Sequence, residues 1–186
     1  MELNEITSKA KETMDKSIEF TESQLSKIRT GRASASILDD VSVDAYGTAT
    51  PISQTATVSV PDARSLIVQP WDKSLLPAIE KAIQVADLGF NPQNDGQVIR
   101  INVPPLTQER RKEFVKMAKT NVEDGKVAIR NVRRDANDSL KKAEKNKELS
   151  EDFRKQGEEE IQKLTDDYIK NLDSIFDAKE KELMDE

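Results

Sequence analysis

Residues 114–140 read FVKMAKTNVEDGKVAIRNVRRDANDSL, and the apolar side chains in this stretch recur at helical spacing. Steps of three and four residues place one side chain per turn on a single face of an α-helix. The stripe comprises Phe114, Ala118, Val122, Gly125, Ile129, Val132, Ala136 and Leu140. Thr107 is a suitable N-cap residue, so the predicted helix runs from 107 to about 145. A helix with one apolar stripe needs partners to cover it.

Two further stretches of the chain predict those partner helices. Residues 4–29 contain neither Gly nor Pro, and an apolar residue recurs on each turn from Ile6 to Ile28. After a polar break, Ser150 is a candidate N-cap for a third helix, whose stripe runs from Phe153 to Leu183. We expect the last two helices to form an antiparallel hairpin and all three to form a long antiparallel three-helix bundle.

The middle of the chain has the composition of a different domain. Apolar and polar residues alternate at 41–46, 55–60 and 99–103, and residues 64–69 are a further strand candidate. A short helix centred on Ile79 interrupts these strands. The fold class is therefore predicted as α+β. Residues 1–30 and 105–186 form the bundle, and residues 31–104 form a small inserted mixed α/β domain.

The composition excludes several classes of function. The chain has no Cys and no His, so disulfides, thiol nucleophiles, imidazole bases and thiolate or imidazole metal sites are ruled out. The lack of Cys and His does not exclude an enzyme that uses carboxylates, but no motif marks a pocket, and we expect no enzymatic activity, no cofactor and no metal. The chain carries no apolar run of about 18 residues that would span a bilayer, and no signal-peptide pattern. We therefore expect a soluble, cytoplasmic protein without a membrane partner. We also expect it to be a monomer.

The charge distribution is uneven, although the net charge is −6. Residues 107–147 contain thirteen basic and seven acidic side chains, whereas residues 148–186 contain six and fourteen. Such an asymmetry indicates an oriented contact with a polyanion, beside an acidic flank that limits indiscriminate binding. Naked DNA is a disfavoured partner because the overall balance is acidic.

The basic segment includes a compact set of cations. Lys126, Arg130 and Arg133 fall on one outward face of the predicted helix, with Arg134 beside them. The planar guanidinium group grips phosphate oxygens in pairs and stacks on bases. These residues predict an RNA-binding stripe. The spacing alone leaves a second interpretation open, in which the same face is solvated and pairs with the acidic third helix.

Other cations have two interpretations as well. Arg29 and Arg32, with Lys27, end the first predicted helix, where they either extend the RNA-binding surface or complement the helix dipole. Arg110 and Arg111 stand near a helix N-terminus, where cations are unfavourable. They either contact RNA, support a hinge or solubilise the surface.

The remaining candidate features favour structural roles. The acidic runs at 158–160 and 166–167 predict a solvated face, because adjacent carboxylates on a helix point in different directions and no His joins them. Gly125 and Gly157 fall on apolar stripes and indicate a close approach of helices. Trp71 is predicted to lie in the core of the inserted domain.

Four strings of sequence resemble those of ribosome recycling factors, and the match extends along essentially the whole chain. They are SKIRTGRAS at 26–34, YGTATP at 46–51, PPLTQERRK at 104–112 and RNVRRDAND at 130–138. The first and fourth strings are the most specific, because their order and spacing also agree with the family. Ala49 stands where the family usually has proline, which affects only local stiffness.

The resemblance implies an L-shaped molecule whose arms are the bundle and the inserted domain. The family's bundle binds the large ribosomal subunit between the subunits, on ribosomal RNA near the peptidyl-transferase centre. Its small domain swings, and elongation factor G with GTP drives subunit splitting. The implied hinges lie near 30–32 and 104–106, at Thr30, Gly31, Pro104 and Pro105. The implied RNA contacts are Arg29, Arg32, Arg130, Arg133 and Arg134, with Asn131 in the same string.

Three other classes of protein remain as alternatives. A helical scaffold or holdase would need a large exposed apolar surface. The apolar stripes here are narrow enough to be buried completely when the helices pack together. An enzyme that uses carboxylates with magnesium would need a pocket, and no motif marks one. A protein that binds naked DNA would need a more basic chain.

Overall fold

The computed structural model describes residues 2–185, and it divides into two compact units. One unit comprises the chain up to Thr30 together with the chain from Gln108 onward, and the other is Gly31–Thr107. The helices within the described residues are α1 (Leu3–Ser26), α2 (Leu76–Val85), α3 (Gln108–Lys145) and α4 (Glu151–Met184). The protein is therefore of the α+β class, as its sequence predicts.

Helices α1, α3 and α4 pack against one another along their apolar stripes. Most of the predicted stripe residues lie in this interior, where Met14, Ile18 and Leu25 from α1 meet Val122 and Ile129 from α3 and Leu172 from α4. Phe153, with which the predicted α4 stripe begins, is 54% exposed, so the prediction is wrong at that position. A second cluster continues the interior through Ile6, Ala10, Ala136, Leu140, Ala143 and Ile161. The hydroxyl of Ser150 accepts a hydrogen bond from the Phe153 amide at 3.1 Å, which confirms the predicted N-cap of α4.

Two glycines allow the helices to approach one another closely. A Cβ atom at Gly125 of α3 would lie 2.6 Å from the Thr21 hydroxyl of α1 and 3.4 Å from Leu172 of α4. At Gly157 of α4 it would lie 2.7 Å from Leu3 and 2.8 Å from Leu140. Only a residue without a side chain fits these spaces, so the predicted close approach is confirmed at both positions.

The second unit contains two antiparallel sheets. Strands β1 (Ser42–Ala45) and β2 (Thr48–Pro51) form a hairpin. Strands β3 (Ala56–Asp62), β4 (Ser65–Pro70), β5 (Pro92–Asn94) and β6 (Ile99–Asn102) form a sheet in the order β3-β4-β6-β5. In the register, Val68 of β4 lies opposite Val58 of β3 and Ile99 of β6.

The core of the second unit is formed by strand residues and by one face of α2. Leu66, Val68, Ile99 and Ile101 are buried from the sheet, and Ile79 and Ile83 are buried from α2. The prediction for Trp71 is wrong: its side chain is 66% exposed, and its indole N–H donates to the Thr57 hydroxyl at 2.8 Å. The indole lies outside because the strand β4 ends at Pro70, beyond which the chain turns to the surface.

The two segments that lead into and out of the second unit are fixed to the same turn of its sheet. The amide of Ala33 donates to the carbonyl of Ala63 at 2.8 Å, and the amide of Val103 donates to the carbonyl of Arg64 at 2.7 Å. Gly31 has φ +85°, and a Cβ atom there would lie 3.1 Å from Cγ of Leu106. Both a backbone conformation and a contact with the returning chain therefore require glycine at this position.

Candidate nucleic-acid interface

The basic stripe of α3 lies on the surface of the bundle. Ile129 and Ala136 are buried, and the helical period turns Arg130, Asn131 and Arg134 away from them into solvent. These side chains are exposed on a helix of 38 residues that is packed along its length. The geometry presents guanidinium groups on a stiff support, where they can engage phosphate oxygens without reorganising the backbone.

Arg133 belongs to the same stripe but is half-buried. Its Nη1 donates to Oε1 of Gln162 on α4 at 3.5 Å, which is the long limit of a hydrogen bond. The Gln162 side chain in turn donates to Asp166 at 3.0 Å. Such a weak contact orients the guanidinium and leaves most of its donors for another acceptor.

Lys126 is held within the bundle, although the sequence groups it with the same stripe. Its Nζ lies 2.5 Å from Oδ1 of Asp173 on α4 and 3.4 Å from Oε1 of Glu123 on α3. Only 14% of the side chain is exposed. The hydrogen bond to Asp173 raises the pKa of Lys126, against an opposing effect of burial.

The cations around residue 30 follow α1 and lie in different units. Helix α1 ends at Ser26, and these cations follow its last turn rather than lying within it. Lys27 is the C-cap residue. Arg29 is half-buried in the first unit, and Arg32 is exposed in the second. Sequence spacing could not distinguish these two environments.

The adjacent arginines at the start of α3 have different surroundings. Arg110 is exposed, pairs with Glu113 at 2.9 Å and lies 5.3 Å above the centre of the Phe114 ring. Arg111 is only 6% exposed, and its Nη1 donates to the backbone carbonyl of Met184 at 3.2 Å. A cation there satisfies a carbonyl at the negative end of α4. This role explains why Arg111 is tolerated at a helix N-terminus.

Most of the acidic residues in the two acidic runs of α4 face the solvent. Within the part of the chain that the structure describes, no group of three or more Asp, Glu, His or Cys side chains is placed to hold a metal ion. Glu159, Glu160, Asp166 and Asp167 are exposed, and Glu158 pairs with Arg154 at 3.0 Å. The predicted solvated face is confirmed. Among residues 2–185, no helix has both the length and the hydrophobicity to cross a membrane.

Comparison with known proteins agrees with the family suggested by the sequence strings. The family model described as ribosome recycling factor matches residues 21–184. The ribosome-recycling factor of Nitratidesulfovibrio vulgaris is 56% identical over 185 residues, covering 100% of both chains. That of Symbiobacterium thermophilum is 51% identical over 181 residues, covering 97% of this chain and 98% of the relative.

Solved structures of the same family have the same fold. A solution structure of the ribosome recycling factor has a TM-score of 0.77 and 41% identity, covering 99% of this chain and 98% of that one. A second neighbour has a TM-score of 0.64 and 48% identity, covering 99% and 100%. It is the ribosome recycling factor of T. thermophilus, which is bound together with E. coli elongation factor G to the E. coli post-termination complex. With a bundle, an inserted α/β unit and matches along the whole chain, this protein belongs to the ribosome recycling factor family.

Proposed function

We propose that this protein binds the large subunit of post-termination ribosomes through ribosomal RNA. With elongation factor G and GTP, it then promotes subunit splitting and the release of mRNA and tRNA. The observation that carries the proposal is the exposure of Arg130, Asn131 and Arg134 on a 38-residue helix, in a chain that a ribosome recycling factor matches over its full length. The structural neighbour bound with elongation factor G to a post-termination complex supports the choice of partner.

The proposed RNA contacts are arginines and one amide that are exposed or half-buried on the surface. Guanidinium groups give most of the binding free energy by neutralising phosphates, so the affinity should depend strongly on salt. Arg110 extends this surface at the start of α3, although it also pairs with Glu113. The principal set comprises Arg29, Arg32, Arg130, Asn131, Arg133 and Arg134.

The chain segments between the two units are the proposed hinges. Thr30 ends the first unit and Gly31 begins the second, and Pro104 and Pro105 lie close to the end of the second unit at Thr107. Proline fixes φ on the returning segment, and Gly31 adopts a conformation that other residues reach only with strain. Motion is thereby restricted to a few torsions, which suits a swing of the second unit as one body.

The protein acts as a factor without catalytic residues of its own, and elongation factor G supplies GTP hydrolysis. The sequence contains no glycine-rich phosphate loop of the Walker type. Cytoplasmic ribosomes are the proposed place of action, and a monomer is the proposed active form.

Sedimentation of post-termination ribosomes tests this function. Ribosomes are incubated with this protein, elongation factor G from a matched source and GTP, and each component is omitted in turn. We expect separate subunits only when all three are present. Intact ribosomes under every condition, with protein of native circular dichroism, would contradict the proposal and favour the scaffold alternative.

A further inference from the structure

Lys126 differs from the arginines of the stripe in where its charge is directed. By sequence it precedes Arg130 by one helical turn, so both side chains start from the same face of α3. The Arg130 side chain is exposed, whereas the Lys126 ammonium lies between Asp173 of α4 at 2.5 Å and Glu123 of α3 at 3.4 Å. Two carboxylates therefore already occupy two of the three N–H donors of Lys126 and compete with a phosphate for its charge.

The ion pair with Lys126 neutralises the charge of the Asp173 carboxylate and fixes its position. The Asp173 side chain is 55% exposed at the boundary between α4 and the basic stripe. An unpaired carboxylate at that boundary would repel the phosphates of an approaching nucleic acid. With Lys126 in place, the group of Lys126, Asp173 and Glu123 carries a net charge of −1, and without it the charge would be −2.

We propose that Lys126 is a positioning residue, which holds Asp173 against α3 and shields the RNA-binding face from its charge, rather than a phosphate contact. This inference rests on the proposed function, because it concerns the same RNA-binding face. It assigns the residues of the basic segment to two roles: Arg130 and its exposed neighbours contact RNA, and Lys126 neutralises an acidic neighbour.

The salt dependence of binding separates a phosphate contact from an internal ion pair. Binding to isolated large ribosomal subunits is measured over a series of KCl concentrations for Lys126→Met, Asp173→Asn, the double variant and Arg130→Met. We expect Lys126→Met to weaken binding by about two- to fivefold, because the unneutralised Asp173 carboxylate weakly repels nearby phosphates. The slope of log K against log KCl concentration should change by less than one in Lys126→Met, because salt screens this exposed charge. Arg130→Met should lower the slope by about one, because it removes a phosphate contact.

The double variant gives the decisive comparison. Asp173→Asn should restore the affinity of Lys126→Met to within about twofold of the parent protein, because the exposed charge is gone. A slope lowered by about one in Lys126→Met, without rescue by Asp173→Asn, would show a direct phosphate contact and overturn the inference.

Urea unfolding of the same four proteins tests the ion pair without RNA. We expect the effects of Lys126→Met and Asp173→Asn on the unfolding equilibrium to be non-additive by about two- to fivefold. Additive effects would overturn the inference even if ribosome binding is normal. An unchanged slope in Arg130→Met, with non-additive unfolding, would instead contradict the RNA-binding face of the proposed function.

Discussion

Cations on one helix have separate roles because each is placed by its own tertiary surroundings. Arg111 is buried and satisfies the Met184 carbonyl, Lys126 pairs across α3 and α4, and Arg134 is exposed. Helical period determines which face a residue occupies, but it does not determine what another helix places opposite that face. The stripe was predictable from sequence for this reason, and the partners of Lys126 and Arg111 were not.

Arg133→Ala is expected to weaken binding to the large subunit. Loss of one phosphate contact should lower the slope of log K against log salt by about one. The measurement is equilibrium binding to isolated large subunits over a KCl series. A slope identical to that of the parent protein would remove Arg133 from the proposed contacts.

Gln162→Ala is the matched control for this variant. It removes the 3.5 Å hydrogen bond between Gln162 and Arg133 but leaves the guanidinium charge. The slope should therefore stay unchanged. A reduced slope in Gln162→Ala would mean that the orientation of Arg133, and not only its charge, determines the contact.

At the scale of secondary structure, long periodic segments were predictable and short irregular ones were not. The predicted helix from 107 to about 145 is observed as Gln108–Lys145, because its stripe is sustained over many turns. Strands β2 (Thr48–Pro51) and β5 (Pro92–Asn94) were not predicted, since each is short and contains proline. Their pairing with neighbouring strands, rather than their own residues, makes them strands.

Gly125→Ala is expected to destabilise the bundle. The new Cβ would lie 2.6 Å from the Thr21 hydroxyl, which already donates to the Ser17 carbonyl at 2.9 Å. Overpacking costs about 1–3 kcal/mol, and the better helix propensity of alanine offsets about 1 kcal/mol of this. Urea unfolding should therefore show a net loss of up to about 2 kcal/mol.

Two comparisons isolate the steric cause. Thr21→Ala combined with Gly125→Ala should be less destabilised than the sum of the single variants, because the second change makes room for the new methyl group. Asp138→Ala, at an exposed position of α3, should leave stability within about 0.5 kcal/mol. An unfolding free energy for Gly125→Ala at or above that of the parent protein would show that α1 moves away at little cost.

The contact between α1 and α4 includes a phenol that should make stability depend on high pH. The Tyr168 hydroxyl donates to Asp15, and burial together with this hydrogen bond raises the pKa of Tyr168 to about 12. In the unfolded chain the pKa is about 10. The stabilisation is therefore complete below pH 10 and is lost as the pH rises toward 12.

Tyrosine absorbance during alkaline titration measures this effect directly. The chain has two tyrosines, so Tyr168→Phe should remove the component that titrates near pH 12. Tyr46→Phe should leave that component in place, although the hydrogen bond to Asp72 also raises the pKa of Tyr46. Retention of the pH 12 component in Tyr168→Phe would show that it belongs to another residue.

At the scale of the whole molecule, the sequence predicted two units but not the contact between the two ends of the second unit. The change from helical to alternating periodicity predicted boundaries near 30 and 105, and the structure divides the chain after Thr30 and before Gln108. The contact between Gly31 and Leu106 was beyond sequence reasoning, because it depends on the fold of the second unit. The L shape and the hinges remain predictions.

Gly31→Val is expected to impair subunit splitting while leaving large-subunit binding nearly unchanged. A β-branched residue would be strained at φ +85° and would press on Leu106, 3.1 Å from the new Cβ. The altered contact between residue 31 and Leu106 would hinder the proposed swing of the second unit, but the basic stripe of α3 would stay intact. Sedimentation with elongation factor G and GTP measures splitting, and binding to isolated large subunits measures affinity.

Gly96→Val controls for backbone strain without this contact. Gly96 has φ +88°, and a Cβ atom there meets nothing within 4 Å. We expect Gly96→Val to split ribosomes normally once its folding is verified. If Gly31→Val also splits ribosomes normally, there is no case for a hinge at Thr30 and Gly31.

The segments that lead into and out of the second unit are bonded to the same turn of its sheet, and this arrangement affects how the chain folds. Helices α1 and α3 are separated in sequence by the entire second unit, a loop whose closure lowers the entropy of the chain. Once that unit has folded, Gly31 and Leu106 are in contact, and the effective loop between the helices is only a few residues long. Early folding of the small inserted unit would thus accelerate assembly of the much longer bundle.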